Sequence, residues 1–368
     1  MIYHIYWGTA GNAGLYLDEI YQALRSEGFE QEVFVSHYYP FNYGHKLFFR
    51  LTELGHCKRL GKLRNAIRYA ELIYALSAVY ISIKRHKPKV INYSFIGVFA
   101  PVLFFLKLVK KTTKCKLILT CHDVMPFENK FQTLTKQEKM RREAFELADY
   151  LLTHNQKSSE ELIKTFQVPS HKILCHKFPI MDLKKIYAEQ DSSDKKEYDF
   201  LFIGHLRKEK GVEVLTEAWK IFHAKHQDAR LCIAGNAPFG FDTSEYEGKN
   251  IHFILQFLSD EQYHTLATSS KCIVLPYLRG TNSGVVSTLS TLGVDVITSD
   301  LEMFKSNPLL NKDLMFECGN PHSLVSKMEM LMDGGLKKPD HSQMVDSYRE
   351  AFRQEIVDVY NKVLHEGK

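Results

Sequence analysis

The stretch Leu201-Phe-Ile-Gly-His-Leu-Arg-Lys-Glu-Lys-Gly-Val-Glu-Val-Leu-Thr-Glu-Ala218 decides how the chain is read. The apolar run Phe200–Ile203 predicts a buried strand that ends at Gly204. Two cations, Arg207 and Lys210, follow in the turn, and Gly211 precedes a helix expected over Val212–His223. Cations in a strand-to-helix turn, beside a helix N-terminus, suit a phosphate group. Taken alone, the pattern also fits an ordinary solvated basic turn.

A second stretch, Val274-Leu-Pro-Tyr-Leu-Arg-Gly-Thr-Asn-Ser-Gly-Val285, repeats the logic further along. A strand ends at Pro276, and a polar loop leads to Ser283-Gly284-Val285, where a helix should start. Gly284 would allow close approach of a ligand to the backbone, and Ser283 would cap the helix. The free amides of that first turn would favour a diphosphate.

Working outward, short β-rich runs alternate with helical stretches. Ile2–Trp7, Val33–Ser36, Val90–Tyr93, Leu117–Cys121 and Tyr150–Thr153 read as strands in the first half. Phe200–Ile203, Leu231–Ala234, Ile251–Ile254, Cys272–Pro276 and Val294–Ser299 read as strands in the second. Such alternation argues for α/β domains with parallel sheets. The polar run Glu189–Glu197 reads as part of a linker. The expected division is 1–185 for a first domain, 186–198 for the linker, 199–342 for a second domain, and 343–368 for a long terminal helix.

Together the two glycine-bearing stretches resemble the donor half of the GT-B-fold glycosyltransferases, specifically family 4 of the retaining enzymes. The matching branch reads G-x-[IL]-R-x-x-K-G-x-x-x-L and then L-P-Y-x5-S-G-[VI]. Gly204, Leu206, Arg207, Lys210, Gly211 and Leu215 fit the first pattern. Leu275, Pro276, Tyr277, Ser283, Gly284 and Val285 fit the second, with Gly293 at the usual distance. The early loop holding Gly11, Asn12 and Gly14 looks like the family's N-terminal glycine loop. Leu119-Thr-Cys-His-Asp-Val-Met-Pro126 looks like its strand ending in a His-Asp pair.

The resemblance implies two doubly wound Rossmann-like domains facing a central cleft, with the last helix crossing back to the first domain. It implies a nucleotide-diphosphate sugar as donor substrate, with no further cofactor and no metal. Arg207, Lys210, Ser283, Gly284 and Val285 would hold the diphosphate. Thr281, Asn282 and Thr288 would lie near the sugar and ribose, and His122 and Asp123 would serve catalysis. The family's two glutamates, eight positions apart, are absent: Gly280 and Thr288 stand in their places.

Charge is divided unevenly. Residues 1–180 hold 26 Lys/Arg against 15 Asp/Glu, and residues 181–368 hold 22 against 28. The segment Lys46–Arg68 concentrates Lys46, Arg50, Lys58, Arg59, Lys62, Arg64 and Arg68 against the single acid Glu53. Interleaved Phe48, Phe49 and Leu51 suggest a basic amphipathic segment for an anionic membrane surface. No nucleic-acid motif accompanies it.

Nothing at the N-terminus reads as a signal peptide. The longest uncharged apolar runs, Leu72–Ile83 and Phe95–Leu106, fall short of the ~20 residues a membrane span needs. The expected location is therefore cytoplasmic, peripheral on the inner membrane. Seven scattered cysteines without a C-x-x-C pair predict neither disulfides nor zinc.

The reading is a hexosyltransferase that builds a bacterial capsule or lipopolysaccharide on a saccharide or lipid-linked acceptor. Its rivals are a nucleotide-sugar epimerase of the same fold and a non-catalytic nucleotide-sugar-binding protein. A dinucleotide oxidoreductase is disfavoured, because the early loop is not G-x-G-x-x-G and no acid ends the second strand.

Overall fold

The computed structural model describes residues 1–8, 13–51, 61–94, 99–122, 124, 134–181, 196–238, 240–280, 284–289, 292–334 and 341–365, with backbone alone at 62, 134–137, 260, 284 and 341–342. These residues form two α/β units, 1–179 with 350–368, and 180–349.

The first unit carries a seven-stranded parallel sheet. Its strands are β1 (Ile2–Tyr6), β2 (Gln31–Ser36), β3 (His45–Phe48), β4 (Val90–Ser94), β5 (Lys116–Thr120), β6 (Tyr150–Thr153) and β7 (Ile173–Cys175). They lie in the order β3-β2-β1-β4-β5-β6-β7. Helices α1 (Ala13–Ser26), α2 (Gly61–His86), α3 (Ala100–Thr112), α4 (Leu134–Leu147) and α5 (Gln156–Phe166) connect them. Strands β1 and β4 are buried at every position, as expected where helices cover both faces of a parallel sheet.

The second unit holds six parallel strands. These are β8 (Tyr198–Ile203), β9 (Leu231–Ala234), β10 (Ile251–Ile254), β11 (Ser270–Leu275), β12 (Asp295–Ser299) and β13 (Met315–Phe316). Their order is β10-β9-β8-β11-β12-β13. Helix α6 (Val212–His223) follows β8 and buries Leu215, Trp219 and Phe222 into the core.

In both sheets the strand order reverses beside the first strand, between β1 and β4 and between β8 and β11. Open α/β sheets bind ligands outside the carboxyl ends of their strands at such a switch point.

The terminal helix runs from His341 to His365, and its part from Glu350 onward belongs to the first unit. Tyr360 is fully buried with its ring near that of His4. Arg353 pairs with Glu27 at 3.1 Å, and Lys116 Nζ donates to the Val363 carbonyl at 2.8 Å. The six described cysteines are free thiols, and burial pushes Cys121 and Cys232 up to about 12.

Three expectations need correction. Residues 46–68 are not one amphipathic segment, because they begin in the edge strand β3. Phe48 and Phe49 are buried there against the first unit's core, so neither is available to a membrane. The linker expected through residue 198 ends sooner, since Tyr198 already opens β8. Finally, within α2 the stretch Leu63–His86 is long and apolar enough, by length and composition alone, to cross a membrane. Reading only uncharged runs broke this helix at Arg64, Arg68 and Glu71. One face of α2 nonetheless packs into the unit through Leu72, Ala75, Leu76, Val79 and Ile83.

Candidate functional site

Three neighbouring strands each deliver a histidine at the carboxyl edge of the first sheet. His122 lies two residues beyond β5, His154 follows β6 directly, and His176 follows β7 directly. Asn155 turns the chain out of β6 by capping α5, its Oδ1 accepting from the Ser158 amide at 2.7 Å.

The three rings touch in series. His122 Nδ1 lies 3.0 Å from His154 Nε2, and His154 Nδ1 lies 3.2 Å from His176 Nε2. His176 Nδ1 is 2.5 Å from the Lys177 carbonyl oxygen. Tyr16, from α1, packs edge-on against the first two rings, at 4.7 Å from His122 and 4.9 Å from His154. Its hydroxyl is 2.9 Å from His176 Nε2.

Burial pushes His122 and His176 down to about 4, with His176 adding a smaller repulsion at His122. His154 is held well below its ordinary value by burial and then by its two neighbours. All three imidazoles are thus neutral at pH 7. His122 is half-buried as a residue, and its Nε2 is shielded and has no hydrogen-bond partner among the described residues.

In the second unit the two glycine-bearing stretches lock together. After β8 the chain passes Gly204 and makes a 3₁₀ turn over Lys208–Lys210 before Gly211 opens α6. Gly211 has φ +64°, and a Cβ there would sit 1.9 Å from the Pro276 carbonyl oxygen, so only glycine fits. The Leu278 amide donates to the Glu209 carbonyl at 2.9 Å. Lys210 Nζ lies 3.7 Å from the centre of the Tyr277 ring, a cation–π contact. Tyr277 is itself held by Ser299 Oγ, which donates to its carbonyl at 2.6 Å.

Arg207 is half-buried, and its Nε is shielded without a partner among the described residues. Burial, and then the positive field of Arg207 and Lys210, lowers His205 below its usual value. A shielded guanidinium nitrogen with no acceptor, beside a second cation, is a place for an anion.

The other candidates divide. Helix Gly284–Leu289 starts at Gly284, as its motif implies, and Val285 is half-buried. Thr288 is fully buried, its hydroxyl donating to the Val285 carbonyl at 2.9 Å and lying 3.3 Å from the Tyr263 hydroxyl. A Cβ on Gly280 would meet Met303 Sδ at 2.7 Å, so the Met303 thioether fills the space beside the first missing glutamate's position.

Gly14 sits in α1, buried beneath Tyr39 and Pro40. Lys46 is half-buried in β3, Arg50 is exposed, and Arg64 and Arg68 are half-buried in α2, with Arg68 stacked 4.7 Å over Phe49. Gly11, Asn12, Lys58, Arg59, Asp123, Thr281, Asn282 and Ser283 lie outside the described residues, as does the Lys62 side chain. His154, His176 and Tyr16 were not among the residues singled out from sequence.

Comparison with known proteins supports the fold. Residues 13–174 match the model of Glycosyltransferase Family 4, and residues 184–350 match that of Glycosyl transferases group 1. No curated protein matches the chain in sequence.

Many solved structures share the fold. The catalytic domain of starch synthase IV from Arabidopsis thaliana, bound to ADP and acarbose, aligns with a TM-score of 0.61 at 12% identity, over 99% of this chain and 98% of that one. Sucrose-phosphate synthase from Thermosynechococcus elongatus aligns at 0.60 with 13% identity, over 99% and 96%. UDP-GlcNAc 2-epimerase from Methanocaldococcus jannaschii aligns at 0.60 with 14% identity, over 98% and 99%. The chain thus has the GT-B fold, with a glycosyltransferase family 4 domain over residues 13–174 and a glycosyl transferases group 1 domain over residues 184–350.

Proposed function

We propose that the chain transfers a hexose from a nucleoside-diphosphate sugar to a saccharide acceptor carried on a lipid, with retention of configuration and without a metal. Surface polysaccharide assembly, in a bacterial capsule or lipopolysaccharide, is the pathway class that such a reaction serves. The observation that carries the reading is the turn after β8. There Arg207 has a shielded Nε without a partner among the described residues, and Lys210 is fixed over Tyr277.

Glycosyl transfer builds an oxocarbenium-like centre while negative charge grows on the leaving diphosphate. Arg207 and Lys210 are preorganised to meet that charge, which is the form of stabilisation that lowers such barriers most. The starch synthase with the same fold is bound to ADP and acarbose, a nucleoside diphosphate and a saccharide. Turnover of the protein's donor should survive EDTA. Activity that vanishes on chelation and returns with Mg²⁺ or Mn²⁺ would sink the metal-free part of the reading.

A membrane-bound acceptor is supported by the outer face of α2 and α3. Tyr69, Ile73, Tyr74, Ile81 and Phe104 are exposed there, and a groove of about 520 Å³ runs between the two helices. At their C-terminal ends, Lys84, Lys87, Lys89, Lys111 and Lys114 line a hollow of about 670 Å³. An apolar face ending in a rim of lysines matches an anionic leaflet, acyl chains against the groove and headgroups against the ammonium groups.

Epimerisation is the second reading, favoured by the 2-epimerase among the structural neighbours. It differs in needing no acceptor.

A further inference from the structure

The three histidines at the carboxyl edge of the first sheet form a relay whose hydrogen positions follow from its far end. The Lys177 carbonyl can only accept, so His176 must carry its proton on Nδ1. A neutral His176 then has a bare Nε2. His154 Nδ1 faces that bare nitrogen at 3.2 Å, and two lone pairs there would repel, so His154 carries its proton on Nδ1 as well. His154 Nε2 is bare in turn, and at 3.0 Å it must accept from His122 Nδ1. This leaves His122 Nε2 without a hydrogen.

The Tyr16 hydroxyl does not disturb this order. It is a donor wherever it points, either to His176 Nε2 at 2.9 Å or to Thr120, with which it also bonds. Thr120 Oγ1 donates onward to Asn92 Oδ1 at 2.9 Å, and Asn92 Nδ2 lies 3.3 Å from His4 Nδ1. His4 Nε2 donates to Gln31 Oε1 at 3.0 Å. The single Tyr16 hydrogen serves one of these two contacts at a time; elsewhere the buried network closes with donors facing acceptors, and the nitrogen left over in it is His122 Nε2, shielded and unpartnered among the described residues.

We propose that His154 and His176 are positioning residues that lock His122 in its Nδ1–H tautomer, so that its bare Nε2 accepts a hydrogen bond from a hydroxyl of the bound saccharide. The hydroxyl rests on the glycosyltransferase reading; the tautomer lock does not. A ligand at this nitrogen must bring a hydrogen, which selects a neutral hydroxyl over a phosphate or carboxylate. His122 acts here as an acceptor that orients a sugar, not as a cation for the diphosphate.

The test is a long-range ¹H–¹⁵N correlation spectrum of the full chain, labelled in histidine, at pH 7 with no ligand. Free imidazole in water prefers the Nε2–H tautomer, so a locked Nδ1–H form stands out. The expected result is Nδ1–H for His122, His154 and His176 together. An Nε2–H form at any of the three would overturn the proposal, while leaving glycosyl transfer untouched.

Two variants sharpen it. In His154→Gln the amide oxygen reaches the Nε2 position, so His122 should keep its tautomer. In His154→Asn that acceptor is lost, and His122 should revert to a mixture. Retention of the pure Nδ1–H form in His154→Asn would show that His154 does not set it. The wild-type spectrum decides the matter even if a variant fails to fold.

Discussion

Arg207 and Lys210 are the residues on which the donor assignment turns. Each charged hydrogen bond to a phosphate oxygen is worth about 1.5–3 kcal/mol, so Arg207→Ala or Lys210→Ala should weaken nucleoside-diphosphate binding about 10- to 100-fold. Calorimetric titration with UDP, GDP and ADP measures this, and unchanged affinity in both variants for whichever nucleotide binds would refute the assignment. The buried histidines give a second expectation at this scale. His4, His122 and His176 have folded values near 4, below the unfolded value of 6.5. The unfolded chain therefore binds more protons between those limits. Stability is complete above pH 6.5 and is lost as pH falls toward 4, by about 2 kcal/mol per histidine at pH 5. Thermal melts should show the first unit unfolding earlier at pH 5 than at pH 7. A melting temperature flat across that range would mean that these rings are not buried as neutral groups.

Among the elements, the central strands were legible because an uncharged apolar run bounded by polar turns has one physical reading in an α/β chain. Tyr150–Thr153 and Leu231–Ala234 form where the pattern places them, as does Ile251–Ile254 at the edge of the second sheet. The short edge strands His45–Phe48 and Ile173–Cys175 escaped, since three or four residues with charged neighbours carry no period. The histidine cluster escaped for another reason. Spacings of 32 and 22 residues say nothing about contact until parallel strands bring their carboxyl ends side by side. A signal was present in Leu119-Thr-Cys-His122, Leu152-Thr-His154 and Leu174-Cys-His176, each a strand end followed by histidine. The exposed apolar side chains of α2 and α3, the face proposed above for an anionic leaflet, also went unread in the sequence. Replacing Ile73, Tyr74 and Ile81 with Glu should abolish cosedimentation with anionic vesicles while nucleotide binding stays intact. Equal pelleting of that variant and the parent would leave the α2–α3 face without a membrane role.

For the molecule as a whole, the fold was readable from two glycine-bearing stretches, because a cation-bearing turn and a glycine forced by φ and space leave local traces. Gly211 against Pro276 is such a trace. The sugar contacts were not readable, since Gly280 and Thr288 replace the side chains that would have declared them. The central claim is transfer to an acceptor. The most direct measurement incubates the protein with UDP-, GDP- and ADP-sugars, with and without a lipid extract carrying saccharide acceptors. It follows nucleoside diphosphate release and the mass of the lipid-linked product together. The account predicts release that depends on the extract, matched by a lipid-linked saccharide heavier by one hexose. An altered sugar formed without any acceptor, or no turnover of any nucleotide sugar in either condition, would contradict it.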